Sequence, residues 1–294
     1  MNARIAVTLG DPRGIGPEVA RAVADDPPHG VDLVLLGPDD LVAGYESQGL
    51  GAFGEATGDA VAGEFAYRAI ARAVDLVGAA EVDAICTAPA SKKALNAAGH
   101  HFPGHTELLG HLAGGVDTAM MLASDDLRVV LVTTHVPFAA IRSELTEHRI
   151  GRVAALTRQS LTNLWGIAQP RIALCALNPH AGEGGTLGTE EAELLAPAAL
   201  AAGIEGPFAA DTVFVRAMRG EFDAVLAPYH DVGMTAIKVA SFGRAVNVTL
   251  GLPFVRTSPD HGTAFDIAGK GLADPASMHA AVTLAAELSA VTAV

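Results

Sequence analysis

The chain has little positive charge and no long hydrophobic run. Its 294 residues include 19 Lys and Arg against 33 Asp and Glu, a net charge of −14, and no basic cluster is larger than Lys92-Lys93. Proteins that bind polyanions or anionic membranes present a basic face, so we expect no nucleic acid or membrane partner. The apolar stretch around residues 194–204 contains Pro197 and Gly203, and it is shorter than the ~20 residues that a membrane-spanning helix needs.

Cysteine is also scarce. The two cysteines, Cys86 and Cys175, both lie within apolar runs, which excludes a disulfide framework and favours buried thiols in a reducing compartment. The first apolar run ends at Gly10 and is too short for the core of a signal peptide. We therefore expect a cytoplasmic protein.

Short aliphatic runs alternate with longer Ala- and Leu-rich segments along the chain. This alternation predicts an α/β fold, and strands that are apolar on both faces suit a sheet covered by helices. The predicted strands are 5–9, 31–36, 84–87, 129–133, 172–177, 224–226 and 246–248. The predicted helices are 63–77, 150–164, 190–202 and a terminal segment from Met278. The length corresponds to two domains or one large one.

Three histidines, His135, His180 and His230, each follow a predicted strand by a few residues. Ligands of α/β sheets bind at the carboxyl ends of the strands. Three neutral imidazoles that meet there would form an open metal site, with positions left for substrate and water. A single histidine at a strand end more often braces a loop, and the spacing is not a local zinc pattern such as His-x-x-x-His. The shared position of all three favours a metal site.

Cationic residues occur in apolar surroundings in the second half of the chain. Lys238, Asn247 and Arg256 are spaced nine residues apart, and Lys and Arg commonly recognise phosphate and carboxylate groups. Such residues are often ordinary surface groups, but an unpaired charge is costly beside Ile237 or Val255. The pattern therefore predicts an anion-binding site.

Two glycine-rich stretches lie between a predicted strand and a predicted helix. Residues 182–188 lack the Gly-x-Gly-x-x-Gly spacing and the acid ~20 residues further on, so a Rossmann fingerprint is not indicated. Residues 10–18 place Pro17 and Glu18 at the start of a helix, which is equally consistent with a tight structural turn.

Several motifs, in the same order, resemble the 4-hydroxythreonine-4-phosphate dehydrogenase family of pyridoxal phosphate biosynthesis. The resemblance covers almost the whole chain. Its motifs are Gly10-Asp11-Pro12, Gly14 to Glu18, Gly104 to Glu107, Thr134-His135, Asn178 to Glu183, Tyr229-His230-Asp231 and the run from Asn247 to Asp266.

The family implies a homodimer with a two-domain α/β fold similar to isocitrate and isopropylmalate dehydrogenases. Its active site lies in an interdomain cleft at the dimer interface. On this basis, we expect residues 1–115 and 250–294 to form a first α/β domain with the cofactor loop. Residues 116–249 are expected to form a second α/β domain with the metal ligands and the dimer contacts.

Motif matching assigns roles to individual residues. His135, His180 and His230 take the positions of the metal ligands, completed across the dimer. The substrate-binding positions fall on His105, Thr106, Lys238, Asn247 and Arg256. The histidine set and the cation set that the residues suggested thus coincide with the family's site.

A second resemblance concerns residues 261–271, which are similar to the adenosine-binding loop of β-decarboxylating dehydrogenases. It implies that NAD, or NADP, binds without a Rossmann fingerprint. The expected cofactor-binding residues are His261, Gly262, Thr263, Ala264 and Asp266.

Three features depart from the family's pattern. Val232 stands where Gln is frequent, which removes a polar contact near the metal. Arg13 stands where a small residue is frequent, which would add a cation at the mouth of the site. The segment between Gly37 and Gly63 is compact. These departures concern the substrate rather than the metal or the cofactor.

The resemblance implies oxidation of 4-phosphohydroxy-L-threonine to the 3-oxo acid, followed by decarboxylation to 3-amino-2-oxopropyl phosphate. NAD would accept the hydride, and one divalent metal (Zn, Mg or Co) would lower the pKa of the hydroxyl. Candidates for the base are Lys238, Asp231 and Asp211.

Other functions remain open at this level. A D-threonate or D-erythronate 4-phosphate dehydrogenase of sugar-acid catabolism would use the same phosphate and metal sites. A related cis-dihydrodiol dehydrogenase branch acts on an aromatic diol acid, whereas Gly104-His105-Thr106 favours a phosphorylated substrate. A non-catalytic metal- or metabolite-binding homologue is disfavoured, because the metal, cation and cofactor sets are all retained.

Overall fold

The computed structural model describes residues 2–54 and 58–292. The chain divides into two compact units, one of Met1–Thr118 with Val246–Val294 and one of Ala119–Ala245. These boundaries lie a few residues from the expected ones. The segment Val246–Leu250 pairs antiparallel with Val255–Pro259, so Asn247 belongs to the first unit and not, as expected, to the second. Residues 55–57 of the compact segment between Gly37 and Gly63 lie outside the described residues.

The elements of the described residues alternate between strands and helices. The strands are β1 (Ala3–Thr8), β2 (Val31–Gly37), β3 (Ser47–Gly49), β4 (Ala84–Thr87), β5 (Ala119–Ala123), β6 (Arg128–Leu131), β7 (Ile172–Cys175), β8 (Glu205–Phe208), β9 (Ala224–Ala227), β10 (Val246–Leu250) and β11 (Val255–Pro259). The helices are α1 (Gly16–Asp25), α2 (Asp39–Val42), α3 (Asp59–Gly78), α4 (Lys92–Ala97), α5 (His105–Leu112), α6 (Ile141–Glu144), α7 (Glu147–Trp165), α8 (Ala196–Ala202), α9 (Ala210–Met218), α10 (His230–Ala240) and α11 (Ala276–Thr292). A π-helical turn, Glu191–Leu195, leads into α8.

The first unit contains the strands in the order β3-β2-β1-β4-β11-β10. All neighbours pair in parallel except β10, which runs antiparallel to β11. Helix α3 packs on β1, β2 and β4 through a buried apolar cluster that includes Ala69, Ala73 and Leu76. Helix α11 packs against β11, β1 and β4. Because most of the sheet is parallel, the ends of β4 and β11 lie side by side.

The second unit contains the strands in the order β5-β6-β9-β7-β8. β5 runs antiparallel to β6, and the remaining neighbours are parallel. Helix α10 lies close against this sheet at Gly233, where an added Cβ would come within 2.7 Å of Leu131 and 2.9 Å of Ala227. Only glycine allows this approach, which fixes the start of α10 beside β6 and β9.

The seven predicted strands are confirmed, and so are the predicted helices. The prediction missed β3, β5, β8 and β11. β3 is Ser-Gln-Gly, β5 is rich in Ala and Met, and β8 contains Gly206-Pro207, so these three lack the β-branched composition of a typical strand. β11 has two β-branched residues, but it also contains Arg256 and ends at Pro259. β11 is nevertheless fully buried.

Both cysteines are free and buried, as predicted. Burial raises the pKa of each thiol to about 12. Neither is therefore a reactive thiolate near neutral pH. Within the described residues, no helix combines the length and apolar character needed to cross a membrane.

Candidate active site

Arg256 is a buried cation on β11 of the first unit. Its side chain is only 1% exposed, and burial lowers its pKa to about 10, so it stays charged at neutral pH. Its guanidinium donates hydrogen bonds to Thr249 on β10 at 2.9 Å and to Thr87 at the end of β4 at 2.5 Å. These two partners are neutral hydroxyls, and among the described residues no carboxylate pairs with the guanidinium. Such a charge is costly to bury unless an anion compensates it.

His105 completes this cluster from the first residue of α5. Its Nδ1 lies 3.4 Å from Nη2 of Arg256. A guanidinium has only donors, so Nδ1 accepts and the proton of the neutral ring is on Nε2. Burial, assisted by the charge of Arg256, lowers the pKa of His105 to about 3. His105 is therefore a neutral donor at the N-terminus of a helix, a position that favours bound anions.

The orphaned polar atoms of the chain concentrate on the predicted binding residues. Among the described residues, seven buried side-chain N or O atoms lack a hydrogen-bond partner. Four of the seven are His105 Nε2, Asn247 Oδ1, Arg256 Nε and His261 Nε2. All four residues were predicted from the sequence, and all four belong to the first unit. Because buried polar groups are nearly always satisfied, these atoms mark places where a ligand is expected. Thr106, also predicted, is buried in the first turn of α5.

The predicted cofactor loop lies against the glycine-rich turn of residues 10–18. The backbone N of Ile15 donates to the carbonyl of Thr263 at 2.9 Å, and an added Cβ on Gly14 would stand 2.8 Å from the same oxygen. Glu18 accepts hydrogen bonds from the backbone N of Gly269 and of Ala273. The turn therefore supports the loop. Gly262 and Asp266 are exposed, and Ala264 has a positive φ of 41°.

Arg13 is neutralised and does not add a cation to the site as expected. It makes a two-point contact with Asp11, at 3.0 and 2.8 Å, and a 2.7 Å contact with Asp59 at the start of α3. Asp59 also contacts Lys93 at 2.7 Å. The guanidinium lies 5.5 Å from the ring centre of Phe265 in the cofactor loop. Asp11 holds the pKa of Arg13 above its usual range. Arg13 thus ties the glycine-rich turn to α3 and to the loop.

The three predicted metal ligands follow three adjacent parallel strands of the second unit. His135 follows β6, His230 follows β9 and His180 follows β7, and these strands are neighbours in the order β6-β9-β7. The rings of His135 and His230 lie 5.5 Å apart, centre to centre. His180 lies beside Asp211 of α9, with 3.6 Å between Nδ1 and Oδ2. The carboxyl ends of these strands therefore carry all three imidazoles on one edge of the sheet.

Carboxylates face the Nδ1 atoms of two of these histidines. Asp231 Oδ1 lies 2.7 Å from Nδ1 of His230, and Asp211 occupies the corresponding place beside His180 at a longer distance. A carboxylate at Nδ1 holds the proton there and leaves the Nε2 lone pair for a metal, an arrangement common around metal-binding histidines. The donor chemistry therefore fits a divalent metal.

One chain does not bring a full ligand set together. Within the described residues, no group of three or more His, Cys, Asp or Glu side chains is close enough to hold one ion.

Lys238 is exposed in the last turn of α10. It lies about 12 Å along the helix axis from His230, at 1.5 Å per residue. Val232 packs against the apolar core of the unit, so no polar group takes the place of the frequent Gln.

Glu191 is not among the residues predicted from the sequence. This side chain is 6% exposed and lies under the loop that carries His180. Its Oε1 accepts from the backbone N of Leu177 at 3.0 Å and of Asn178 at 2.7 Å, and its Oε2 accepts from the side-chain amide of Asn178 at 2.9 Å. The three acids at 190, 191 and 193 look alike in sequence, so no local signal distinguishes the buried one.

The loop itself has an unusual backbone. Residues 180–184 all have positive φ, and His180, Ala181 and Glu183 are not glycine. Left-handed conformation costs an L-residue roughly 1–2 kcal/mol. Such conformations persist only where surrounding contacts enforce them, and they concentrate at functional sites.

Comparison with known proteins identifies the family. The family model for "Pyridoxal phosphate biosynthetic protein PdxA" matches residues 41–285. The chain belongs to this family. The resemblance stated from the motifs is thereby confirmed.

Relatives of the chain cover nearly its whole length. A 4-hydroxythreonine-4-phosphate dehydrogenase of Paracoccus denitrificans is 43% identical, with 97% of this chain and 98% of that protein aligned. A D-threonate 4-phosphate dehydrogenase of Cupriavidus necator is 49% identical over a shorter match, 78% of this chain and 71% of that protein. Proteins named for each of the two substrates are thus similar to this chain.

Solved structures confirm the fold. A 4-hydroxythreonine-4-phosphate dehydrogenase from Klebsiella pneumoniae superposes with a TM-score of 0.85 at 38% identity, covering 98% of this chain and 100% of that one. An isocitrate dehydrogenase from Methylococcus capsulatus, at 17% identity and a TM-score of 0.50 over 96% and 84% of the two chains, shares the fold. The expected isocitrate dehydrogenase-like α/β fold is therefore present.

Proposed function

We propose that the protein is a nicotinamide- and metal-dependent 4-hydroxythreonine-4-phosphate dehydrogenase, an oxidoreductase that acts on a CH–OH group. Relatives with this name align with nearly the whole chain. The observation that carries the proposal is the buried, uncompensated cation of Arg256 beside the neutral donor His105.

A phosphate group would provide the hydrogen-bond acceptors and the negative charge that Arg256 and His105 do not find within the described residues. Arg256 has a buried Nε and His105 a buried Nε2 without partners among the described residues, and both are donors. A phosphate dianion offers several acceptor oxygens and the negative charge that Arg256 lacks. Thr106 in the first turn of α5 and Asn247 on β10 add polar groups to the same unit. We assign substrate binding to these four residues and Lys238.

The reaction proposed is oxidation of the secondary alcohol of 4-phosphohydroxy-L-threonine. A hydride from the alcohol carbon would pass to the nicotinamide cofactor, and the hydroxyl proton would pass to a base. The 3-oxo acid then loses CO₂ and gives 3-amino-2-oxopropyl phosphate. Binding energy from the phosphate would position the alcohol for this transfer.

His135, His180 and His230 are the residues that would hold the divalent metal. The metal supplies Lewis acidity, which lowers the pKa of an alcohol and polarises a carbonyl. Imidazole ligands suit Zn or Co, and a site with water also accepts Mg. Asp231 and Asp211 face histidine Nδ1 atoms, so we assign them to ligand orientation. Lys238 then remains as the candidate base.

The cofactor is assigned to the loop that begins at His261. His261 has a buried Nε2 without a partner among the described residues, and the turn of residues 10–18 supports the loop from Thr263 to Ala273. We propose NAD as the cofactor, bound by His261, Gly262, Thr263, Ala264 and Asp266, with NADP as the alternative to be compared in the assay.

We further propose that the active protein is a cytoplasmic homodimer. The described residues of one chain hold no group of three metal donors, and ligands from a second copy would complete the set.

A D-threonate 4-phosphate dehydrogenase is the second candidate, because the similar protein of Cupriavidus necator has this name. The two substrates share the phosphate and the alcohol and differ in the group at C2. An assay of NADH formation with 4-phosphohydroxy-L-threonine, D-threonate 4-phosphate and D-erythronate 4-phosphate, each with Co²⁺ and with a chelator, tests the proposal. We expect turnover of the amino acid that the chelator abolishes. Turnover of the sugar acids alone would replace it with the second candidate, and no turnover of any would refute both.

A further inference from the structure

We propose that Glu191 is the positioning residue of His180, and that its buried carboxylate sets the metal affinity of the histidine set. The inference rests on the proposed function, because it takes His180 as a metal ligand. Glu191 itself would not touch the metal. It would act by holding the loop of residues 178–188 in the conformation that presents His180.

The contacts of Glu191 converge on the start of this loop. One carboxylate oxygen accepts from the two consecutive backbone N–H groups of Leu177 and Asn178, and the other accepts from the amide of Asn178. Within the described residues, no Lys, Arg or His forms an ion pair with Glu191. The N–H donors of the loop are therefore what stabilises the buried charge. His180 follows Asn178 by two residues, directly beyond this anchor.

The middle of the loop also passes close to the carboxylate. A Cβ placed on Gly182 would stand 2.8 Å from Oε2 of Glu191 and 3.0 Å from the carbonyl of Gly188. Gly184, two residues on, also has a positive φ, 65°, but its Cβ would meet nothing within 4 Å. The carboxylate of Glu191 is thus in contact with the start of the loop, at Leu177 and Asn178, and lies close to its middle, at Gly182.

This arrangement explains how three non-glycine residues stay left-handed. The sequence of residues 180–184 does not favour that conformation, and the bonds within the loop, Thr186 to Glu183 and Leu187 to Gly182, close only its far end. At the near end, Glu191 accepts from two backbone N–H groups of the loop, and the side-chain amide of Asn178 donates to both Glu191 and Glu190. Its position in the π-helical turn Glu191–Leu195 is consistent with this role, since such turns are frequent at functional sites.

The first test measures Co²⁺ binding to the full-length, metal-free protein by calorimetry and by the visible spectrum of bound Co²⁺. In Glu191→Gln, the amide replaces one acceptor oxygen with an N–H donor that opposes the amide of Asn178. We expect about 10- to 100-fold weaker binding, the usual effect of losing a group that orients a ligand. Glu193→Gln is the matched control, because Glu193 is exposed in the same π-helical turn. It should bind Co²⁺ like the wild type.

A second pair of variants tests the same contact without changing a charge. Gly182→Ala and Gly184→Ala add one methyl group at neighbouring left-handed positions, but only the first meets Glu191. We expect Gly182→Ala to weaken Co²⁺ binding by about the same factor as Glu191→Gln, and Gly184→Ala to weaken it much less. The kcat of Glu191→Gln should recover at saturating metal, which a general loss of folding would not allow.

His180→Ala distinguishes a failure of the proposed metal site from a failure of the proposed role of Glu191. If His180→Ala binds Co²⁺ with wild-type affinity, the metal role of the histidine set is wrong and the proposed function fails. If His180→Ala weakens binding but Glu191→Gln and Gly182→Ala do not, the metal site stands and the role of Glu191 is refuted. A lower melting temperature of either variant with unchanged Co²⁺ affinity would likewise refute it, since that result describes a purely structural residue.

Discussion

Nη2 of Arg256 lies 3.4 Å from Nδ1 of His105; Arg256 is buried and His105 is half-buried. The two residues are 151 positions apart in the chain, brought together by β11 and the start of α5. The guanidinium keeps its charge, and the ring keeps its proton on the nitrogen that faces away from Arg256. A cation and a neutral donor that both have unsatisfied N–H groups form a site for an anion with several acceptor oxygens.

The low pKa of His105, about 3, predicts a specific pH dependence of stability. Below its ordinary pKa of 6.5, His105 takes up a proton in the unfolded chain, but in the folded protein it stays neutral down to about pH 3. Protonation of His105 therefore does not reduce the free energy of unfolding above pH 6.5. Below pH 6.5, this free energy falls by about 1.4 kcal/mol per pH unit.

Urea unfolding at pH 7.5 and pH 5.0 of the wild type and of His105→Gln measures this effect. We expect the variant to lose less unfolding free energy over this interval than the wild type. His101→Gln, which removes an exposed histidine four residues earlier, should lose as much as the wild type. If all three proteins lost the same unfolding free energy between pH 7.5 and pH 5.0, the low pKa of His105 would be refuted.

Asp231 offers a test that distinguishes a metal-orienting carboxylate from a catalytic base. Its Oδ1 lies 2.7 Å from Nδ1 of His230. Asp231→Asn should weaken divalent metal binding by about 10- to 100-fold, while kcat at saturating metal stays near the wild-type value. Metal titrations of activity give both quantities. Asp125→Asn, an exposed acid after β5, is the control.

A different result would return Asp231 to the role of the base. In that case, kcat of Asp231→Asn would stay low at any metal concentration, and the acidic limb of the pH–rate profile would disappear.

Arg13 is expected to matter for stability and for the cofactor rather than for the substrate. Asp11 has no exposed surface, and its carboxylate accepts from the guanidinium of Arg13 at two points and from the backbone N–H of Arg13. Arg13→Ala keeps the backbone donor but should lower the free energy of unfolding by about 3 kcal/mol, because it removes the cation that pairs with a buried carboxylate. Urea denaturation measures this change.

The same substitution should raise the KM for the nicotinamide cofactor, because Arg13 contacts Phe265 of the cofactor loop. The KM for the phosphorylated substrate should not change. Lys93→Ala removes an exposed member of the same network, and it should have little effect on stability. A rise confined to the substrate KM would place Arg13 at the substrate site instead.

The sequence predicted the elements that carry the site better than the contacts that shape it. Strands 129–133, 172–177 and 224–226 are almost entirely apolar, and each leads to a histidine, so both the strands and the position of the histidines at their carboxyl ends were predictable. The partners of Arg256 were not, because Thr87 is 169 residues away and no local pattern links the two. The strand of Arg256 was missed for a related reason, since a buried charge does not resemble a typical strand residue.

The loop of His180 shows a second limit. Its glycines at 182, 184 and 185 indicate a turn, but the left-handed conformation of His180, Ala181 and Glu183 opposes the preference of those residues. That conformation depends on tertiary contact with Glu191, and the sequence does not distinguish this acid from Glu190 and Glu193. Arg13 is similar: its charge is visible in the sequence, but the two aspartates that neutralise it are not recognisable as its partners.

Arg256 and His105 are proposed to bind the phosphate of an oxidisable substrate. The most direct measurement compares kcat/KM for 4-phosphohydroxy-L-threonine and for unphosphorylated 4-hydroxy-L-threonine, at saturating metal and NAD, in the wild type, Arg256→Lys and the exposed control Arg244→Lys. We predict that the wild type and Arg244→Lys prefer the phosphorylated substrate by at least about 1,000-fold, and that Arg256→Lys loses most of this preference, because lysine cannot reproduce the guanidinium fork. Equal preference in Arg256→Lys and the wild type would show that Arg256 does not bind the phosphate.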